Sequence, residues 1–237
     1  MRFTFGLLAA LALVSGPVMA ADAGFYVGGS FGQSSFDLKK SDADGFMVEA
    51  FALAGEELGI DVVYDIESSK LDDSDTAFSF FVGYRFMPYL AVEAAWLDLG
   101  EAKYNSFGEV TADDGTEVLV ADAEAALNWN SSGPVLSALA IWPVSEQWEV
   151  FGRLGAYFAD TELDFTLTIP DPTEPFAASA SESESTTEFI WGLGVDFIFL
   201  ENFAARLEYQ MIPDLGDKNT TGEADADLIS LGLLYKF

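Results

Sequence analysis

The sequence contains no cysteine and no histidine. Without cysteine, neither disulfides nor thiolate metal sites can form. Without histidine, the commonest general base and the commonest transition-metal ligand are both missing. Basic residues are scarce: ten Lys and Arg stand against 40 Asp and Glu, for a net charge of −30. That sign excludes nucleic acid as a partner, because holding a phosphate backbone requires cations. Beyond the first 20 residues no run of about 18 apolar residues occurs, which leaves no candidate transmembrane helix.

What is present is unusual beside that charge. Half of the 237 residues are hydrophobic. Apolar and acidic residues must therefore lie in different zones. Residues 1–20 carry Arg2, then the apolar stretch Leu7 to Val14, then Val18-Met19-Ala20. This is the pattern of a secretory signal peptide, with Ala21 opening the mature chain; a retained anchor is the alternative. The expected domains are thus a signal peptide, 1–20, and one barrel domain, 21–237.

The mature chain alternates between two textures. Segments rich in Phe, Trp, Tyr, Val, Leu and Gly show a period of two, which is strand periodicity. Eight are expected: 24–36, 76–87, 90–104, 132–142, 147–160, 187–199, 202–212 and 226–237. Long polar connectors cover 37–75, 105–131, 161–186 and 213–225, and they alternate with short ones at 87–89, 143–147 and 200–201. Short turns on one side and long loops on the other are the mark of a membrane barrel. Closed barrels also satisfy every backbone N–H and C=O without water. The expected fold is all-β: an eight-stranded antiparallel up-and-down transmembrane β-barrel with four long outer loops and three short periplasmic turns.

Parity supports that reading. Phe189, Trp191, Leu193, Val195, Phe197 and Phe199 share one face, opposite Ile190, Gly192, Gly194, Asp196 and Ile198. Ile229, Leu231, Leu233, Tyr235 and Phe237 likewise oppose Leu228, Ser230, Gly232, Leu234 and Lys236. One face is large and apolar, as lipid requires; the other is small or charged, as a narrow interior requires. Aromatic residues cluster near the strand ends, where membrane barrels carry interfacial girdles.

The stretch Ala205-Arg206-Leu207-Glu208-Tyr209-Gln210 resembles a strand of the transmembrane domain of the outer membrane protein A family. So do Arg153-Leu154-Gly155, Gly83-Tyr84 followed by Pro88-Tyr89, and Leu231-Gly232 leading to a terminal Tyr-Lys-Phe. The resemblance covers the strands from Gly24 to Phe237 but not the loops. It implies the outer membrane of a Gram-negative bacterium, no enzymatic activity, and a lumen closed by an ionic cluster of Glu93, Arg153, Asp196, Arg206 and Glu208. It also implies that Phe237 is the aromatic signal read by the barrel assembly machinery. The family's periplasmic cell-wall-binding domain is not expected in this chain. Leu139 and Ser30 stand where the family carries lysines, which removes the alternative partner of a switchable gate and favours a static plug.

The charge sits in the connectors. The windows 37–75, 100–131, 160–188 and 213–227 hold 32 acidic residues and five lysines, so −27 of the net −30 lies there. Asp42, Asp44, Asp72, Asp73, Asp75, Asp113 and Asp114 are candidate loop ligands for Ca²⁺ or Mg²⁺, which favour hard oxygen donors. The alternative is a solvated, self-repelling surface. Phe46 to Leu58 is too apolar for an open loop and is expected to form a short helix or a hairpin, packed as a cap. Pro170, Pro172 and Pro175 mark a loop tip, with Ser-Glu repeats continuing to Ser185.

Three functions compete at this point. The first is a structural, surface-exposed barrel that stabilises the envelope and contacts ligands through its loops; the expected partners are outer-membrane lipids and lipopolysaccharide, with the chain a monomer. The second is a narrow or gated porin-like channel. The third is an outer-membrane enzyme. Glu93 and Asp196 would be its paired carboxylates, but beside Arg153 and Arg206 they should stay ionised and structural.

Overall fold

The computed structural model describes residues 23–170, 176–218 and 220–237. The expected signal peptide and the tip at 171–175 lie outside the described residues. In chain order the elements are β1 (Gly24–Phe36), α1 (Lys40–Leu58), β2 (Asp61–Asp72), β3 (Ser74–Met87), β4 (Leu90–Asp113), β5 (Val118–Pro143), β6 (Trp148–Ile169), β7 (Phe176–Leu200), β8 (Phe203–Asp217) and β9 (Gly222–Lys236).

Eight of these strands close into a ring. All neighbours are antiparallel, in the order β1-β3-β4-β5-β6-β7-β8-β9, and β9 returns to β1 through pairs such as Val27↔Tyr235 and Phe31↔Leu231. The short turns fall where expected. Ser145 closes the β5–β6 turn, its hydroxyl accepting from the N–H of Gln147 and of Trp148. Among the described residues no helix is long and apolar enough to cross a membrane; the crossing elements are strands.

The belt around the ring is apolar. Phe80, Leu136, Leu154, Leu193, Leu207 and Leu231 all point outward and are exposed. At the end carrying the short turns, aromatic rings pack tilted or edge to face: Phe25 on Tyr84 at 4.7 Å, Tyr84 on Phe86 at 4.9 Å, and Tyr235 on Phe203 and Phe237 at 5.1 and 5.0 Å. Exposed Phe31, Trp96, Phe158, Phe189 and Tyr209 lie toward the other end. A bilayer solvates such a surface; water does not.

The long connectors differ from the expected loops. Residues 105–131 are strand except for a tight turn near Asp114, and 161–169 and 176–186 are strand. Here β4, β5, β6 and β7 run on past the ring and keep pairing, from Asp113↔Val118 to Ile169↔Phe176. The reason is visible in β6. Leu163, Phe165, Leu167 and Ile169 still alternate with Glu162, Asp164, Thr166 and Thr168. The period of two persists while the apolar face turns inward. β2, from the first connector, adds to the outer half of β4 through pairs such as Tyr64↔Val110. The result is an open five-stranded extension, β2-β4-β5-β6-β7, above the ring.

Helix α1 covers the concave side of this extension. Of the two forms expected for Phe46–Leu58, the structure has the helix, longer than expected. Its last turn carries Glu56 and Glu57 and no basic residue, an unfavourable match to the helix dipole. Gly59 ends it in the left-handed conformation, at φ 73°. Tertiary contacts hold it in place: Met47 and Phe51 are buried against Tyr64, Tyr104 and Val110, and Phe51 stacks on Tyr64 at 4.4 Å.

Candidate functional site

Inside the ring the side chains form three successive layers. The first lies near the short turns. Arg85 Nη1 donates to both carboxylate oxygens of Glu149 at 3.0 Å, Arg85 Nη2 donates to the Pro88 carbonyl, and Lys236 Nζ lies 3.5 Å from Glu149. Ile141 and Leu234 are buried in the same end of the lumen.

The second layer holds all five residues of the expected cluster. Glu93 is its hub. Its Oε2 accepts from Arg153 Nη2 at 2.5 Å, and its Oε1 accepts from Arg206 Nη1 at 2.7 Å and from the Tyr26 hydroxyl at 2.8 Å. Arg153 Nε donates to Glu208 at 2.6 Å, and its Nη1 donates to the Ser137 hydroxyl at 3.1 Å. Arg206 forks onto Asp196 with bonds of 2.8 and 3.0 Å, and its guanidinium lies 4.3 Å from the ring centre of Phe151. Gly83 makes room for this network: a Cβ there would fall 2.1 Å from the Tyr26 ring.

Strand parity builds both layers. Glu93, Arg153, Asp196, Arg206 and Glu208 all sit on inward positions, each less than 5% exposed. Arg85, Glu149, Tyr26 and Ser137 share that inward parity but were missed in the sequence. They carried the same signal, since Glu149 lies two steps of two from Arg153. Counted together, the two layers hold four cations (Arg85, Arg153, Arg206, Lys236) and four carboxylates (Glu93, Glu149, Asp196, Glu208). The five-residue cluster alone carries an excess negative charge; the missed layer balances it. Leu139, at a position where the family carries lysine, is fully buried, and Ser30 bonds the Ser79 hydroxyl at 2.8 Å.

The third layer is apolar. Phe36, Leu97, Leu99, Trp129, Tyr157 and Ile212 pack together across the outer half of the lumen. Phe36 meets Trp129 edge-on at 5.0 Å, and the Trp129 indole N–H donates to the Thr221 carbonyl at 2.9 Å.

The candidate cation ligands do not converge. Asp44 accepts from Lys40 at 2.8 Å and from the hydroxyls of Ser69 and Tyr104 at 2.6 Å, which ties α1 to β2 and β4. Partial burial pushes its carboxyl up, but the bonds from Lys40, Ser69 and Tyr104 outweigh this and hold it at about 2. Asp42 lies in the first turn of α1, and Asp72 pairs with Lys70 at 3.7 Å. The Asp73 carbonyl accepts from the Phe36 N–H. Asp75 accepts from the Glu101 and Thr76 N–H groups, and its carboxyl is held low chiefly by the first of these. Asp113 accepts from the Gly115 N–H, and Asp114 accepts from the hydroxyl and N–H of Thr116 and the N–H of Glu117, which closes the β4–β5 turn. Among the described residues no group of three or more acidic side chains is arranged to hold a metal ion.

A closed ring with a lipid-facing belt, aromatic rims and a charge-paired interior defines an integral outer-membrane β-barrel. The OmpA-like transmembrane domain matches residues 20–237, and the chain belongs to that family. Relatives include outer membrane protein A of Klebsiella pneumoniae, 27% identical over 160 residues, and of Shigella flexneri, 28% identical over 160 residues. Each alignment takes in 66% of this chain, but only 40% and 39% of those relatives' own length. Similar solved structures include OprG of Pseudomonas aeruginosa, 15% identical with a TM-score of 0.43, covering 91% of this chain and 96% of that one. Another is Ail of Yersinia pestis bound to a heparin analogue, 15% identical with a TM-score of 0.38, covering 90% and 99%. The relatives are outer-membrane proteins of Gram-negative bacteria, and this is the membrane in which the chain resides.

Proposed function

We propose that this barrel is a sealed, non-catalytic structural element of the outer membrane that presents an acidic cap to the outside. The carrying observation is the layering of the lumen. Two ion-paired layers lie beneath an apolar one, and apart from Lys236, at the rim, their side chains are buried. An eight-stranded ring leaves an interior just wide enough for side chains to fill. A passing ion would have to separate pairs in which each stranded charge costs about 3–5 kcal/mol, and then cross a dry layer.

The cap sets the partners. With −27 of the net charge outside, it repels polyanions. A sulfated ligand like the heparin analogue on Ail is a poor match for it. Lipopolysaccharide is anionic too, so its contact with the cap would run through diffusely held Ca²⁺ or Mg²⁺ rather than through a built site. Exposed Phe237, just after β9, is the residue we assign to the barrel assembly machinery, and the barrel works as a monomer.

Conductance of the refolded chain in a planar bilayer tests the central reading. The expected result is silence, with folding confirmed by faster migration of the unheated sample on a gel. Reproducible discrete steps would make the protein a narrow channel and overturn the sealed plug.

A further inference from the structure

Above the apolar layer, the extension and α1 do not close on each other completely. Two adjoining cavities, of about 370 and 250 Å³, lie between the helix and the inner faces of β5, β6 and β7, and share Phe46, Leu127, Leu163 and Thr220. The larger one reaches the β8–β9 turn and Trp129; the smaller one is walled by Phe51, Phe165 and Leu167. We propose that this cleft is a binding site for a small, uncharged aromatic or aliphatic molecule.

The lining is the first reason. Phe46, Leu127, Leu163, Phe165 and Leu167 present apolar surface to a space outside the membrane belt, and Phe46 is still 49% exposed. The size of the cleft is the second reason, since ligand pockets begin near about 300 Å³. Planar rings suit walls built from phenylalanines.

Charge selects the occupant. Asp37, Asp42 and Glu223 line the larger cavity and Glu182 the smaller; Lys218 is paired with Glu223 at 2.8 Å, which leaves Lys39 as the other cation of the lining. Within an outer region of net −27, an anionic amphiphile such as a fatty acid or a lipid phosphate is repelled. An uncharged molecule is not.

β8 pairs with β7 only between Trp191 and Leu200, so among the described residues the Phe176–Ile190 edge of β7 beside the cleft has no strand partner on that side. The apolar layer lies between the cleft and the ion pairs. Binding therefore does not depend on whether the lumen conducts, and the two readings fail separately.

The test uses the full mature chain in lipid nanodiscs, titrated with N-phenyl-1-naphthylamine, with empty nanodiscs of the same lipid as reference. A saturable fluorescence increment of one probe per barrel is expected. Ala180→Trp on β7 and Ala54→Trp on α1 fill the cleft from opposite walls and should weaken binding at least about tenfold. Ser181→Trp, on the outward face beside Ala180, should leave it unchanged. The anionic analogue 8-anilinonaphthalene-1-sulfonate should give no saturable increment. An increment no larger than that of empty nanodiscs overturns the site. So does saturable binding that both filling variants leave intact, which would place the probe elsewhere. Equal binding of the anionic analogue overturns the assignment of an uncharged ligand.

Discussion

The strands that run on past the ring pass through two solvents, and the outer faces of β6 and β7 change from apolar to polar between them. Within the belt, β6 turns Leu154 and Phe158 outward and Arg153 inward. Above it, the strand turns Asp160, Glu162 and Asp164 outward and Leu163, Phe165 and Leu167 inward. β7 changes only its outer face, from Leu193 and Phe189 to Thr187, Ser185 and Ser183, while Glu182, Glu184 and Glu188 fall on the inward parity. The backbone pairing is continuous across the change. Hydrogen bonding is indifferent to the surrounding solvent as long as the ladder is closed. The side chains are not: on the outer face, hydrocarbon takes large apolar residues and water takes polar ones.

Removing a charge from inside the belt should have the largest effect. Arg206→Ala strands Asp196 and leaves Glu93 to Arg153 and Tyr26 alone, and is expected to destabilise the barrel by about 3–5 kcal/mol. Urea unfolding of the refolded protein in lipid reads this directly, and a neutral result would mean that the network contributes no stability. Adding a charge to the outer face comes next. Leu193→Arg, facing lipid, should cost about 2–4 kcal/mol in the same assay. Thr166→Arg, on the outward face of the extension, should stay within about 0.5 kcal/mol. Similar costs for the two would erase the comparison.

The latch on α1 is weaker and local. Asp44→Ala removes acceptors for Lys40, Ser69 and Tyr104, and should loosen the helix by about 1.5–3 kcal/mol without moving the barrel's unfolding midpoint. Amide exchange across Lys40–Leu58 would show it; a shift of the whole barrel would mean that the cap and the ring are one cooperative unit. The smallest effect is the pH dependence. Asp44 is held at about 2, below its ordinary 3.8, so its contribution is present above about pH 4 and lost as the pH falls toward 2. Exchange in α1 should speed up over that interval, and Asp44→Asn should flatten the response.

The belt half of this comparison was legible in the sequence because its rule is simple. Large residues alternate with small or charged ones, and Glu93, Arg153, Asp196, Arg206 and Glu208 fall on the inward parity. The cap half carried the same period in Leu163-Asp164-Phe165-Thr166-Leu167, yet its acidic residues resembled those of a loop. In β4 the signal was broken as well: an irregularity between Asp98 and Glu101, with Gly100 at φ 73°, moves the inward positions from Leu97 and Leu99 to Ala102 and Tyr104. Arg85 and Glu149 were hidden differently. Each lies near a strand end, where an exposed charge needs no explanation, and only ring closure brings residues 64 apart in sequence within 3.0 Å.

The sequence by itself determined that this chain forms a barrel, which face meets lipid and where the short turns lie, because local periodicity and the bilayer's intolerance of charge act residue by residue. The tertiary structure alone decided how the lumen's side chains pair, how its charges balance and how α1 meets the extension. Those are contacts between strands distant in sequence, and they exist only once the ring has closed.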